Sequence, residues 1–291
     1  MDCFLEDILK SAESIPPMPN TSVRLAQVLN DSDASIQQIT QLIQFDQALT
    51  ADLLRLCNSA YFGFSEPIYS VKDAVVKLGT AKVFQLAMAY STRRCIDNEI
   101  DGYDLGPGDL WRHSVSVALA AQLLAQHSSC SISTGLAFTT ALLLDIGKLA
   151  LNHYVGAELP NLSKLVKNES ISFEEAEQQH FGVSHPEIGA RIAEKWQLPA
   201  CMVNCIRHHH NPGKDSPFDP LLYVVHQADI IAMSLGIGLG CDGMHYKTKE
   251  AVLGELQIDR STYEWLLSEI LEEFQEVLSI FDSSSHPSKT A

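Results

Sequence analysis

Apolar residues along this chain recur three and four positions apart and show no sustained alternation with polar ones, so each segment can hide a face only by winding into a helix. After Ile15-Pro16-Pro17-Met18-Pro19, Asn20 opens a segment carrying Val23, Leu25, Ala26, Val28 and Leu29, which Asn30-Asp31-Ser32-Asp33 closes. Ser35 starts the next, with Ile36, Ile39, Leu42 and Ile43. Asp46 caps a third, with Leu49, Leu53, Leu54 and Leu56. Two more begin at Ser70 and Thr80, the second running to about Arg94. The pattern predicts an all-α protein.

Residues 97–109, DNEIDGYDLGPGD, break the pattern with acids, glycines and a proline. We therefore expect an N-terminal helical sub-bundle over 1–97, a linker over 98–109 and a second sub-bundle over 110–283 packed beside the first. Within the second, helices are expected from Leu110, from Ser133 through Lys148, and behind the capping box Ser172-Phe173-Glu174-Glu175. Others should follow His185-Pro186 and Leu198-Pro199 and run from Leu221 to Leu235. Ser261-Thr262-Tyr263-Glu264 reads as another capping box, opening a final bracing helix, and 284–291 reads as a disordered tail.

Hydrophobic residues make up 46% and charged ones 19%, a globular composition. The net charge of −16 argues against nucleic acid and anionic membranes as partners, since both need a basic face. The richest apolar stretch, Leu136 to Leu151, is interrupted by Thr139, Thr140, Asp145 and Lys148 and falls short of a membrane span. The N-terminus lacks the pattern of a signal peptide, and the seven cysteines form no CxxC pair. A cytoplasmic protein with reduced thiols is the expectation.

Two lone acids stand inside apolar runs: Asp145 in Ala141-Leu142-Leu143-Leu144-Asp145-Ile146-Gly147-Lys148, and Asp229 in Val224-Val225-His226-Gln227-Ala228-Asp229-Ile230-Ile231. With His113, His185, His208 and His209 on other segments, they suggest side chains converging inside a helical bundle, because a buried carboxylate or imidazole needs a partner or a metal. Such a mixed set suits iron, manganese, nickel or zinc rather than calcium. The competing reading is a polar core satisfied by mutual hydrogen bonds and water. Three consecutive helical histidines point in different directions, so His208 or His209 is expected inward and His210 toward solvent. Lys148 reads either as a cation for a substrate phosphate or as the partner of a buried acid. Cys201 and Cys205, at i and i+4, read as part of an apolar face.

His113, Asp145-Ile146-Gly147-Lys148 and Asp229 resemble the HD phosphohydrolase pattern of a histidine, a His-Asp doublet and a distal aspartate. More specifically the chain resembles the HDOD family. Ile15 to Pro19 is similar to its opening motif, Leu53-Leu54-Arg55-Leu56-Cys57-Asn58-Ser59-Ala60-Tyr61-Phe62-Gly63 to its second signature, and Val71 to Gly79 to its third. Trp111-Arg112-His113-Ser114, His185-Pro186-Glu187-Ile188-Gly189, Trp196-Gln197-Leu198-Pro199 and Ile206-Arg207-His208-His209 continue the match in order, over roughly residues 15 to 235.

The resemblance implies an all-helical fold, an HD-like second sub-bundle and a part in bacterial signalling through protein partners, often without demonstrated catalysis. Two departures matter. Leu144 stands where the doublet has its histidine, so that ligand is lost. His208-His209-His210 is followed by Asn211-Pro212-Gly213-Lys214-Asp215 rather than a Gly-Tyr-Pro segment, which argues against cleavage of cyclic di-GMP. Two function classes remain: a non-catalytic regulatory module with an eroded metal site, and a metal-dependent phosphohydrolase with a reduced ligand set, for which Asp145 and Lys148 are the catalytic candidates. A small phosphorylated ligand fits either.

Overall fold

The structure, a computed structural model, describes residues 2–29, 35–213, 218–243 and 250–285. Fifteen α-helices account for most of them, and there is no strand among the described residues; a lone bridge pairs Ile100 with Leu105. The helix end read at Asn30–Asp33 and the tail residues 286–291 lie outside the described residues. No helix is long and apolar enough to cross a membrane among the residues described.

The first block holds α1 (Asp2–Ser14), α2 (Asn20–Leu29), α3 (Ile36–Phe45), α4 (Gln47–Cys57), α5 (Val71–Leu78) and α6 (Thr80–Ile96). Its helices begin where capping chemistry allows. The Ser35 hydroxyl accepts the Gln38 N–H while the Gln38 side chain accepts the Ser35 N–H, and Asp46 accepts the Leu49 N–H at 2.9 Å. Gly79, at φ +81°, turns the chain from α5 into α6 in a conformation that side-chain-bearing residues avoid. The α1 helix leaves its sequence neighbours and packs against later helices, with the Ser11 hydroxyl donating to Ala150 O at 3.2 Å.

The second block comprises α7 (Asp109–His127), α8 (Thr134–Leu142), α9 (Lys148–Glu169), α10 (Phe173–Phe181), α11 (His185–Lys195), α12 (Ala200–His208), α13 (Pro220–Ser234), α14 (Glu250–Glu255) and α15 (Arg260–Ser285). Helix α7 is its axis, packing against α8, α13 and α15, and buried residues form one continuous core across both blocks. Two expectations are corrected. The helix read from Ser133 through Lys148 is broken: α8 stops at Leu142, and Leu143 to Gly147 form a turn before α9 begins. The break is tied to packing, because a side-chain carbon on Gly147 would lie 1.9 Å from the backbone oxygen of His185. The final helix is capped by Asp259, whose carboxylate accepts the Thr262 N–H at 2.7 Å, and not by Ser261, which lies inside α15.

The expected linker ends one residue early, at Gly108, where α7 begins; residues 98–108 hold a short turn, Asp101–Tyr103, inside the Ile100–Leu105 bridge, and are fastened to α9, the Asn152 side chain accepting the Gly102 N–H at 2.7 Å. The Tyr103 ring is fully buried beneath α10 and α11.

Candidate metal and ligand centre

The turn between α8 and α9 delivers Asp145 into the middle of the second block, where α7 presents His113, α11 its first residue His185, and α13 Asp229. Helix α12 ends at His208, and the backbone turns there, with the Asn211 N–H donating to His208 O at 2.8 Å. Because helical spacing stops, His209 and His210 both swing inward, their ring centroids 3.9 Å apart. His208 stays exposed and outside the cluster. The outward placement expected for His210 is therefore corrected: its side chain is only 7% exposed.

Asp145 divides the centre into two halves. On the Oδ2 side stand cations of the protein itself. Lys148 Nζ lies 3.0 Å from Asp145 Oδ2 and 2.7 Å from Asp242 Oδ2, and these opposite charges hold its pKa above the ordinary lysine range despite the cost of burial. His113 sits 3.1 Å from Ile237 O through Nδ1 and 3.1 Å from Asp229 Oδ1 through Nε2. Carbonyl and carboxylate oxygens only accept, so both ring nitrogens donate and the ring is an imidazolium. Burial opposes that charge, but the hydrogen bond and charge of Asp229, with Asp145 behind them, raise the pKa on balance.

On the Oδ1 side stand three imidazoles, and burial lowers the pKa of two of them, His209 and His210. The Nδ1–H of His209 donates to Ile206 O at 2.8 Å, which leaves a lone pair on Nε2; burial brings its pKa down to about 4. That Nε2 and Asp145 Oδ1, 4.0 Å apart and both buried, have no hydrogen-bond partner. Two acceptors facing each other mark a place for a cation. His185 Nε2 is 3.6 Å from the same oxygen and 3.0 Å from His210 Nε2, a separation at which a proton or a metal ion must lie between the two rings. Ligand atoms about 2.1 Å from one ion are spaced from about 3.0 Å at right angles to about 4.2 Å opposite one another, so these separations fit a single divalent ion. The nitrogens of His185, His209 and His210 also lie within 4.8 Å of one another.

Behind His185 stands a carboxylate that the sequence reading passed over. Glu177, fully buried, accepts the His185 Nδ1–H at 2.7 Å and the His185 N–H at 2.8 Å through Oε2, and the Tyr103 hydroxyl at 2.6 Å through Oε1. This fixes the ring so that Nε2 faces the centre. Its charge offsets the burial of His185, whose pKa is raised. The signal was present: Phe173, Glu177 and Phe181 share one helical stripe, so an acid sits between two core phenylalanines.

The mouth is covered. The segment after α13, Gly236 to Gly243, lies over the centre. A side-chain carbon on Gly238 would be 2.4 Å from Asp109 O, and Asp242 clasps Lys148. Beneath this cover, the space among His113, Asp145, Lys148, His210 and Asp229 admits roughly one water molecule or ion. Asp242 had no helical stripe to betray it, since it follows a glycine-rich run. Leu144, in the position of the lost histidine, is buried.

An all-helical bundle with a histidine, an aspartate two elements on and a distal aspartate around one interior point is the scaffold of the HD phosphohydrolase-like class. Within it the chain belongs to the HDOD family, whose domain pattern matches residues 15–212. A protein of Treponema pallidum (strain Nichols), itself uncharacterised, is 26% identical over 214 residues, which is 73% of this chain and 41% of that protein; the chain thus spans about two fifths of that relative's length. The crystal structure of an HDOD domain protein of unknown function from Geobacter sulfurreducens is 26% identical, with 96% of this chain and 97% of that one covered and a TM-score of 0.63. A candidate signal transduction protein from Marinobacter aquaeolei VT8 shares the fold at 21% identity and a TM-score of 0.74, with 98% of this chain and 66% of that one covered.

Proposed function

We propose that this chain is a non-catalytic regulatory module that works by associating with protein partners in a cytoplasmic signalling pathway, its HD centre kept as a narrow, metal-holding core. The carrying observation is the covered centre: room for about one water or ion remains where a small-molecule substrate needs about 300 Å³ or more. His113 and Lys148 add to this. They place two protein cations beside Asp145 Oδ2, on the side away from the imidazoles. His185, His209, His210 and Asp145 would hold one iron, manganese, nickel or zinc ion, and such an ion supplies Lewis acidity to a bound water or phosphoryl oxygen. Large apolar side chains exposed in the first block, among them Phe45, Tyr69 and Val76, favour a protein partner there.

The second reading is a metal-dependent phosphohydrolase with a reduced ligand set, favoured by the survival of the imidazole half and of Lys148. Elemental analysis of protein purified without chelator, together with hydrolysis assays on phosphomonoesters, phosphodiesters and cyclic di-GMP, separates them. We expect bound metal that Asp145→Asn removes, and no product above a chelated control. Turnover that Asp145→Asn abolishes would establish the phosphohydrolase.

A further inference from the structure

A second cavity, outside the histidine centre, opens where α4, α6 and the end of α15 meet. It measures about 320 Å³, and Arg55, Arg93 and Arg94 line it with Tyr90, Asp97, Asn98 and Phe281. Three of the chain's eight arginines thus converge on one concavity in a protein of net charge −16. We propose that this cavity is a binding site for a small molecule carrying a phosphate group.

The guanidinium groups are prepared for such a ligand. Arg55 is held by the Tyr90 hydroxyl and by Asp52, each at 3.1 Å. Arg93 lies 4.8 Å above the Trp111 ring and 5.6 Å from that of Phe281, with its Nε 3.3 Å from Asp97. Arg94 is exposed and has no ion pair among the described residues. Positive charge therefore exceeds the local acids by the side chain nearest solvent. Planar guanidinium forks match the oxygens of a phosphate bidentately, and stacking on aromatic rings fixes their planes before a ligand arrives. The dimensions favour a small ligand: the charges gather in one concavity rather than along a strip, as an acidic peptide would require, and the volume lies at the lower end of small-molecule sites. Tyr90 and Phe281, stacked with centroids 6.3 Å apart, give the remainder of the ligand an apolar wall.

The inference does not rest on the metal centre, and its test keeps the two apart. The full chain would be titrated calorimetrically with inorganic phosphate and with adenosine 5′-monophosphate at fixed ionic strength. We expect saturable binding of at least one of these at a single site, weakened at least fivefold by Arg94→Glu and by Arg55→Gln, and unchanged by His210→Gln. Both arginines are exposed, so circular dichroism should confirm that these variants keep the fold. Absence of saturable binding to the wild type overturns the proposal, as does a loss smaller than fivefold in the arginine variants. Weakening by His210→Gln would assign the phosphate to the histidine centre instead. An acidic peptide that binds through Arg94 while neither phosphate compound binds would equally refute it.

Discussion

Glu177→Gln tests whether the chain of hydrogen bonds behind His185 orients its ring. The substitution keeps shape and removes charge. The carboxylate accepts three hydrogen bonds, at 2.6, 2.7 and 2.8 Å, in a fully buried setting. Hydrogen bonds to a charged group contribute about 1.5–3 kcal/mol each against about 1 kcal/mol for neutral pairs, so three weakened bonds forfeit about 1.5–6 kcal/mol. The easier burial of a neutral amide offsets part of this. We expect a net loss of about 1–3 kcal/mol in urea unfolding. Metal affinity should fall about 10–100-fold, the usual effect of removing an outer partner of a ligating histidine. Tyr103→Phe is the comparison: it strands Glu177 Oε1 and costs about 1–3 kcal/mol, yet leaves both bonds to His185, so metal affinity should change by less than about threefold. Unchanged stability and unchanged metal affinity in Glu177→Gln would refute the reasoning. So would equal metal loss in both variants.

Three further outcomes are expected. Gly147→Ala should cost about 3 kcal/mol or more, because the new carbon meets the backbone of both His185 and Gly189, whereas Gly254→Ala, with open space on α14, should be neutral or slightly stabilising; chemical denaturation compares the two. Burial pushes the Cys57 thiol up to about 11 and, with help from Asp242, that of Cys241 to about 12, so thiolate is scarce at pH 8. Iodoacetamide should then label both roughly a hundredfold or more slowly in native protein than in denaturant, and comparable rates by mass spectrometry would contradict this. Leu144→His places an imidazole in a buried position at a cost of about 1–3 kcal/mol if it finds no partner. We expect its melting temperature to drop in chelator and recover with added manganese, iron or zinc; no recovery would mean that the position cannot reach the centre.

The helices of this fold were legible because caps and apolar spacing are local. Ser35, Asp46, Ser70 and Ser172 all cap helices as their sequence context suggests. The break at Leu143 to Gly147 was not legible, since an unbroken apolar run looks the same whether it winds on or turns. What decides it is the approach of α11 to Gly147, a contact between distant segments. In the centre, His113, Asp145, His185, His209 and Asp229 meet as their burial in apolar segments implies. His208 and His210 exchange roles because helical geometry was extended past the end of α12. Glu177 and Asp242 escaped notice for opposite reasons: the first is disguised as an ordinary helix acid, and the second lies where no periodicity exists.

Tyr103 makes the short segment between the blocks a mechanical linkage. The residue lies seven positions beyond the end of α6, its hydroxyl is bonded to Glu177, and its carbonyl accepts the Cys241 N–H at 2.8 Å from the cover over the centre. The crossing between blocks thus grips both the support beneath His185 and the strap above Lys148. A partner that shifted α6 against the second block would have to drag Tyr103 along or snap these bonds. Either event would be felt at the imidazoles and at the cover together, because one tyrosine is bonded to both.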